Sequence, residues 1–229
     1  MINRHQSRMK KGSGGFRAGL IVSYLALVLA VAVLSGCHSD HDDPLPRYHT
    51  EIVSDVDFDG DIGLSLDGFY TVTSAADTGS VLAGVNPDTG EEYRGFLDFP
   101  LGGVDGVPTD AIIESATLEV YIIGMSDSLP STVFPFLIDL VDFQPPYLIE
   151  SDFDRVSQPP LLTRPIDFYP SDVGRYVIID VTSLMSEAQA EGLPDLQLRF
   201  ILDFTANSGL IEIDDTDIDT APLLKVTYY

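Results

Sequence analysis

Apolar residues recur at every second position through much of this chain. Ala116, Leu118, Val120 and Ile122 alternate with Thr117, Glu119 and Tyr121. Leu196, Leu198, Phe200, Leu202 and Phe204 alternate with Gln197, Arg199, Ile201 and Asp203. Leu224, Val226 and Tyr228 do the same around Lys225 and Thr227. Successive side chains of a strand point to opposite faces, so this spacing predicts strands with one buried and one exposed face. Gly95, Leu97, Phe99 and Leu101 make a further inner face, opposite Arg94, Phe96 and Asp98. Shorter strands are expected at 68–73, 79–85, 133–141, 175–181 and 209–213. Turn-forming clusters such as "NPDTGEE", "GGVDGVPTD" and "SDSLPS" separate them. About eight or more short strands so punctuated predict an all-β fold, a jelly-roll-like antiparallel β-sandwich.

One segment departs from this period. In "DVTSLMSEAQAEG", Leu184, Met185 and Ala188 fall at helical spacing. Thr182 or Ser183 is placed to cap the start and Gly192 to sit past the end. A short helix at about 183–191 is expected, lying as a lid over one open end of the sandwich.

The N-terminus has a different character. Arg4, Arg8, Lys10, Lys11 and Arg17 precede an apolar run from Ala18 to Leu34, with no acid before Asp40. A basic leader, an apolar run and then small residues form the layout of a secretory signal peptide. The run is borderline for a bilayer span, which asks for about 20 apolar residues, so an uncleaved membrane anchor is the alternative. Leu34-Ser35-Gly36-Cys37 resembles the bacterial lipobox, whose cysteine is diacylglycerated and becomes the new N-terminus. On that reading residues 1–36 are the signal peptide and Cys37 is the lipid attachment point, the membrane partner being the bilayer itself. Residues 37–50 are a polar tether stiffened by Pro44 and Pro46, and 51–229 form one domain. The tether histidines, His38, His41 and His49, lack the second shell that a metal site needs. The expected location is outside the cytoplasm. By analogy with lipoprotein sorting in enteric bacteria, His38 after the cysteine favours the outer membrane in a cell that has one.

Cys37 is the only cysteine, so no disulfide within the chain supports the domain. From Cys37 onward there are 36 acidic residues against seven basic ones, a formal charge of −29. That excludes nucleic acid as a partner and adsorption onto anionic lipid, where basic residues supply the affinity. The acids are 27 Asp and 9 Glu, a ratio that favours turns and hard-cation ligands over helices.

Two rows of these acids are candidate metal ligands. In "SDVDFDGDIG", Asp55, Asp57 and Asp59 with Gly60 match the first half of an EF-hand loop, and Asp61 follows. The second half fails, because Leu66 stands where the bidentate Glu belongs. A second row, Asp214, Asp215, Asp217 and Asp219, precedes the last strand. Two solvated acidic turns are the preferred reading from sequence. The sharper alternative is that both rows meet around a structural calcium ion, which asks for six to eight oxygens.

"YRGFLDFPL" (93–101), "AIIESATLEVYI" (111–122), "YVIIDVTSLMSEA" (176–188), "LQLRFILDF" (196–204) and "APLLKVTYY" (221–229) together resemble the DNRLRE-domain family. These are disaggregatase-related modules grouped with polysaccharide-binding jelly rolls. Arg94, Phe96 and Phe99 match its first strand pattern; Ser115, Ala116, Leu118, Val120 and Tyr121 match its second. Asp180, Val181 and Thr182 match its D-V-T turn, and Pro222, Leu224, Val226 and Tyr228 its last strand. The resemblance covers about residues 50–229 and consists mostly of core and turn signals. It implies polysaccharide binding, through a module resembling a carbohydrate-binding module. No enzyme is expected from the residues themselves, the open alternative being a two-carboxylate glycosidase pair that only spacing in three dimensions identifies.

The residues read on their own agree in excluding much chemistry. With no histidine or cysteine from residue 51 on, Ser-His-Asp and Cys-His systems are ruled out, as is structural zinc on those ligands. No glycine-rich phosphate loop precedes a helix. Sugar stacking would fall to tyrosines such as Tyr70, Tyr93, Tyr121, Tyr147, Tyr169 and Tyr176, there being no tryptophan. No sugar contact is assigned to any one of them, since strand tyrosines are commonly half-buried packing. The competing reading is a structural lipoprotein that meets another envelope protein. Tyrosines gathered with carboxylates in a groove favour the first; scattered acids without a concavity favour the second.

Overall fold

The computed structural model describes residues 46–104, 106–127, 133–143, 147–203 and 208–229. Cys37, the leader and Phe204 lie outside them. In chain order come strands β1 (Tyr48–Val53), β2 (Gly60–Leu64) and β3 (Tyr70–Ser74), then a helical turn α1 (Ala75–Thr78). Strands β4 (Ser80–Val85), β5 (Glu92–Pro100), β6 (Ile113–Ser126), β7 (Phe134–Val141), β8 (Leu162–Phe168) and β9 (Arg175–Asp180) follow. Helix α2 (Thr182–Glu191) precedes β10 (Asp195–Leu202), β11 (Gly209–Asp214) and β12 (Leu223–Tyr228).

All pairings among these strands are antiparallel. Their order is β1-β12-β6-β11-β4-β5-β10-β7-β8, with β2 joining β3 to β5 and β9 lying beside β6. Leu118 and Val120 of β6 share one apolar core with Leu198 and Phe200 of β10, although β11, β4 and β5 separate the two strands. The sheet therefore curls over on itself. The result is an all-β, sandwich-like domain with one short helix of real length, as the period of two requires. β6 is the spine: its first half pairs with β12, its last residues with β11, and its centre with β9.

Helix α2 buries Leu184, Met185 and Ala188, and ends at Gly192 in the left-handed region (φ 69°). Its start differs from expectation. Thr182 is already helical, and its hydroxyl accepts a hydrogen bond from Ala116 N (3.0 Å) instead of capping the helix. Asp180 takes the turn amide, accepting from Thr182 N at 3.0 Å, and Val181 is fully buried.

Three further differences matter for the site. The domain begins before residue 51: β1 starts at Tyr48, which stacks on Tyr228, and His49 Nδ1 lies 3.0 Å from Thr227 Oγ1. Strand pairing with β12 thus claims the end of the expected tether. Strands β1, β2 and β8 were not expected at all. Finally, the polar face of β5 and β10 is not solvated. Arg94, Phe96, Asp98, Gln197, Arg199 and Ile201 are all buried. A second apolar cluster of Ile62, Phe96, Val141, Phe143, Leu148 and Phe153 covers this face. Beside it Arg199 bonds the carbonyls of Asp152 (2.7 Å) and Gln158 (3.1 Å). Arg94 lies over the Phe153 ring, 3.9 Å from its centre. The 147–158 segment is held down by two arginines that read as solvent-facing.

Candidate functional site

The acidic connection between β1 and β2 is built by Asp55. Its carbonyl accepts from Phe58 N (2.8 Å) and Asp59 N (2.9 Å), and its Oδ1 from Asp57 N (3.1 Å). The turn is fixed to the sheet by Ser54 N on Pro222 O (3.0 Å) and Asp55 N on Asp98 O (2.9 Å). This closure leaves Asp57 exposed and drives Asp59 inward to 1% exposure. Asp98 N donates to Asp59 Oδ1 at 2.6 Å, while Asp59 Oδ2 has no partner.

The second acidic row reaches the same place in part. Asp215 N donates to Gly79 O (2.9 Å), and Asp215 is 5% exposed with its Oδ2 unpartnered. Burial, then the neighbouring charge of Asp215, holds the Asp59 carboxyl well above the usual carboxylate range. Burial, with the charges of Asp214 and Asp55, pushes Asp215 up to about 6. Asp98 is pushed up to about 6 by burial against the opposing hydrogen bond from Gln197. Asp195 is raised by burial and by Asp142 and Asp55. No basic side chain acts on any of these four groups.

Of the eight acids singled out, the structure brings Asp55, Asp59, Asp214 and Asp215 into one region. Asp61 belongs to β2, where its Oδ2 accepts from Leu82 N (3.1 Å). Asp217 and Asp219 are exposed and shape a turn, Asp217 O accepting from Ala221 N (2.7 Å). Among the described residues, no three histidine, cysteine, aspartate or glutamate side chains converge as a metal-binding group. An eight-carboxylate site is not what this geometry offers. Asp98 and Asp195 join the acidic region unannounced: Asp98 reads in the sequence as an outer position of a strand, and Asp195 carries no signal of its own.

Over this region lies a cleft of about 610 Å³, lined by Asp57, Phe58, Asp59, Val72, Thr73, Ser74, Asp77, Tyr147 and Leu148. Its walls are the β1–β2 turn, the end of β3 with α1, and the chain at Tyr147. Tyr147 is 76% exposed, and Asp57 and Asp77 are exposed beside the hydroxyls of Thr73 and Ser74. The other tyrosines go elsewhere. Tyr93 OH donates to Glu91 (2.7 Å), Tyr70 packs edge-on to Phe153, and Tyr121 packs edge-on to Tyr176. Tyr169 is exposed at a separate turn. Thr73, Asp77 and Val72 carry no signal of their own in the sequence; only the fold sets them beside Tyr147.

Among the described residues, no helix is long and apolar enough to cross a membrane. No protein-family model matches the chain, and no curated protein matches it.

Proposed function

We propose that this chain is a non-catalytic lipoprotein of the cell envelope, anchored through Cys37, whose sandwich binds neutral polysaccharide in the cleft beside Tyr147. The observation that carries this reading is the cleft's lining: one exposed aromatic ring, exposed carboxylates and hydroxyls around a small apolar floor. Sugars present an apolar ring face edged with hydroxyls. Tyr147 supplies a plane to stack on, and Asp57 and Asp77 supply acceptors for hydroxyl donors. The volume lies within the roughly 300–1,000 Å³ range of small-ligand sites. Carboxylates lining the mouth, on a chain of formal charge −24, repel acidic glycans and so select neutral ones.

A binding role also fits the chemistry available. The hydroxyls of Thr73 and Ser74 have no histidine or lysine with them in the cleft to make a nucleophile. The DNRLRE-like motifs and the lipobox-like Leu34-Ser35-Gly36-Cys37 support the same role: a surface module held at a membrane, the outer membrane where the cell has one. Affinity electrophoresis in gels carrying neutral or acidic polysaccharides tests it. Retardation by a neutral polymer is expected. Unchanged mobility in every gel would favour a structural or protein-interaction role instead.

A further inference from the structure

The fold treats two buried acidic sites differently. Asp139, fully buried, is bonded by Arg199 Nη2 (2.9 Å), Arg155 Nη2 (2.9 Å) and Thr163 Oγ1 (2.6 Å). Each of its oxygens is compensated. Asp59 and Asp215, buried nearly as deeply, face one another's fields with no cation to share and one bare oxygen each, Asp59 Oδ2 and Asp215 Oδ2. Beside Asp59 stands Ser54, 8% exposed, its hydroxyl facing the Asp59 carboxyl and bonded to no other group. Three oxygens from two separate chain segments are thus buried together with no counter-charge beside them, the Ser54 hydroxyl being the one proton donor among the three. An unmade interaction of a buried polar atom is expensive, and of a buried charge more so. Such a group points to something that completes it.

We propose that Asp59 Oδ2, Asp215 Oδ2 and the Ser54 hydroxyl hold a hard divalent cation, calcium, beneath the β1–β2 turn. The donor set is all oxygen, which excludes the soft and borderline metals that select thiolate or imidazole. It is irregular and drawn from loops, which suits calcium's flexible six- to eight-fold shell better than the strict octahedron of magnesium. Water completes the shell, and the charge of Asp55 adds to the field at Asp215. Of the acids that the sequence offered, the site takes Asp59 and Asp215 as ligands, Asp215 being fixed through Gly79, while Asp55 and Asp214 add charge alone. Asp59 also lines the cleft, but the readout here is the fold, so failure of this site and failure of the glycan reading are distinguishable.

The test is a thermal melt of the full chain in detergent, with chelator, calcium, magnesium or sodium at matched ionic strength, alongside calorimetric titration with calcium. At a free concentration about 100 times the dissociation constant, the midpoint should rise by about 5–10 °C in calcium and less in magnesium. The titration should show one ion per chain. Asp215→Asn should abolish the calcium shift, and because it keeps the side chain's shape while removing a buried carboxylate that has no counter-charge it should still fold. Asp217→Asn, in the exposed turn, should keep the shift. Equal midpoints in calcium, sodium and chelator would overturn the site, as would a calcium shift retained in Asp215→Asn.

Discussion

Arg199 and Asp139 are both fully buried, and the arginine also holds the carbonyls of Asp152 and Gln158. Removing one partner of such a pair leaves an uncompensated charge in the interior. Arg199→Ala should therefore cost about 3–5 kcal/mol, read by urea denaturation. A loss under about 0.5 kcal/mol, the range of surface changes, would mean that this face is solvated after all. The acids near Asp59 make the opposite kind of statement. Asp61, Asp98 and Asp215 are pushed up to about 6, burial being the first cause for each. In the unfolded chain they titrate near pH 4. Folding thus favours their protonated forms, a stabilisation complete below about pH 4 and lost as pH rises through about 6. In chelator, the melting midpoint should be higher at about pH 5 than at pH 7.5. Asp98→Asn keeps an acceptor for Gln197 and should flatten that slope by gaining stability at pH 7.5. Asp88→Asn, at an exposed position, should not. Identical slopes for the two variants would assign the effect to overall charge.

At the level of elements, the inner faces of the strands carry the main core. Leu118 of β6 and Phe99 of β5 are fully buried in the main core. Truncating either to Ala should cost about 2–5 kcal/mol from lost burial and the cavity left behind, measurable as a shift of the urea midpoint. These faces were legible because burial on one side imposes period two locally. What lay outside local pattern was missed for physical reasons. Gln197 and Arg199 alternate with apolar residues as solvent-facing groups do, and nothing near them in the sequence shows that residues 147–158 fold over them. Strand β2, Gly60-Asp61-Ile62-Gly63-Leu64, has the composition of an acidic glycine loop. Its pairing with β3 and β5 makes it a strand. Gly60 must be small there: a Cβ would lie 2.1 Å from Thr73 O.

For the whole molecule, two claims set its place and its work. Cys37→Ala should abolish incorporation of a palmitate analogue in cells; label that persists in the variant would remove the lipid anchor from the account. The acidic region was half legible, since two Asp rows could be named but their meeting through Asp59 and Asp215 depends on the three-dimensional path. The cleft was less so, its lining being drawn from residues as distant as Asp57 and Tyr147. Its ligand is therefore the claim most in need of direct measurement. The measurement is a glycan array probed with the wild-type chain, Tyr147→Ala and Tyr176→Ala, the last removing an exposed ring away from the cleft. Stacking on one ring is worth about 0.5–1.5 kcal/mol beyond area. The account predicts binding to neutral glycans that Tyr147→Ala weakens by about tenfold and Tyr176→Ala leaves unchanged. Binding unaffected by Tyr147→Ala, or none by the wild-type chain, would contradict it.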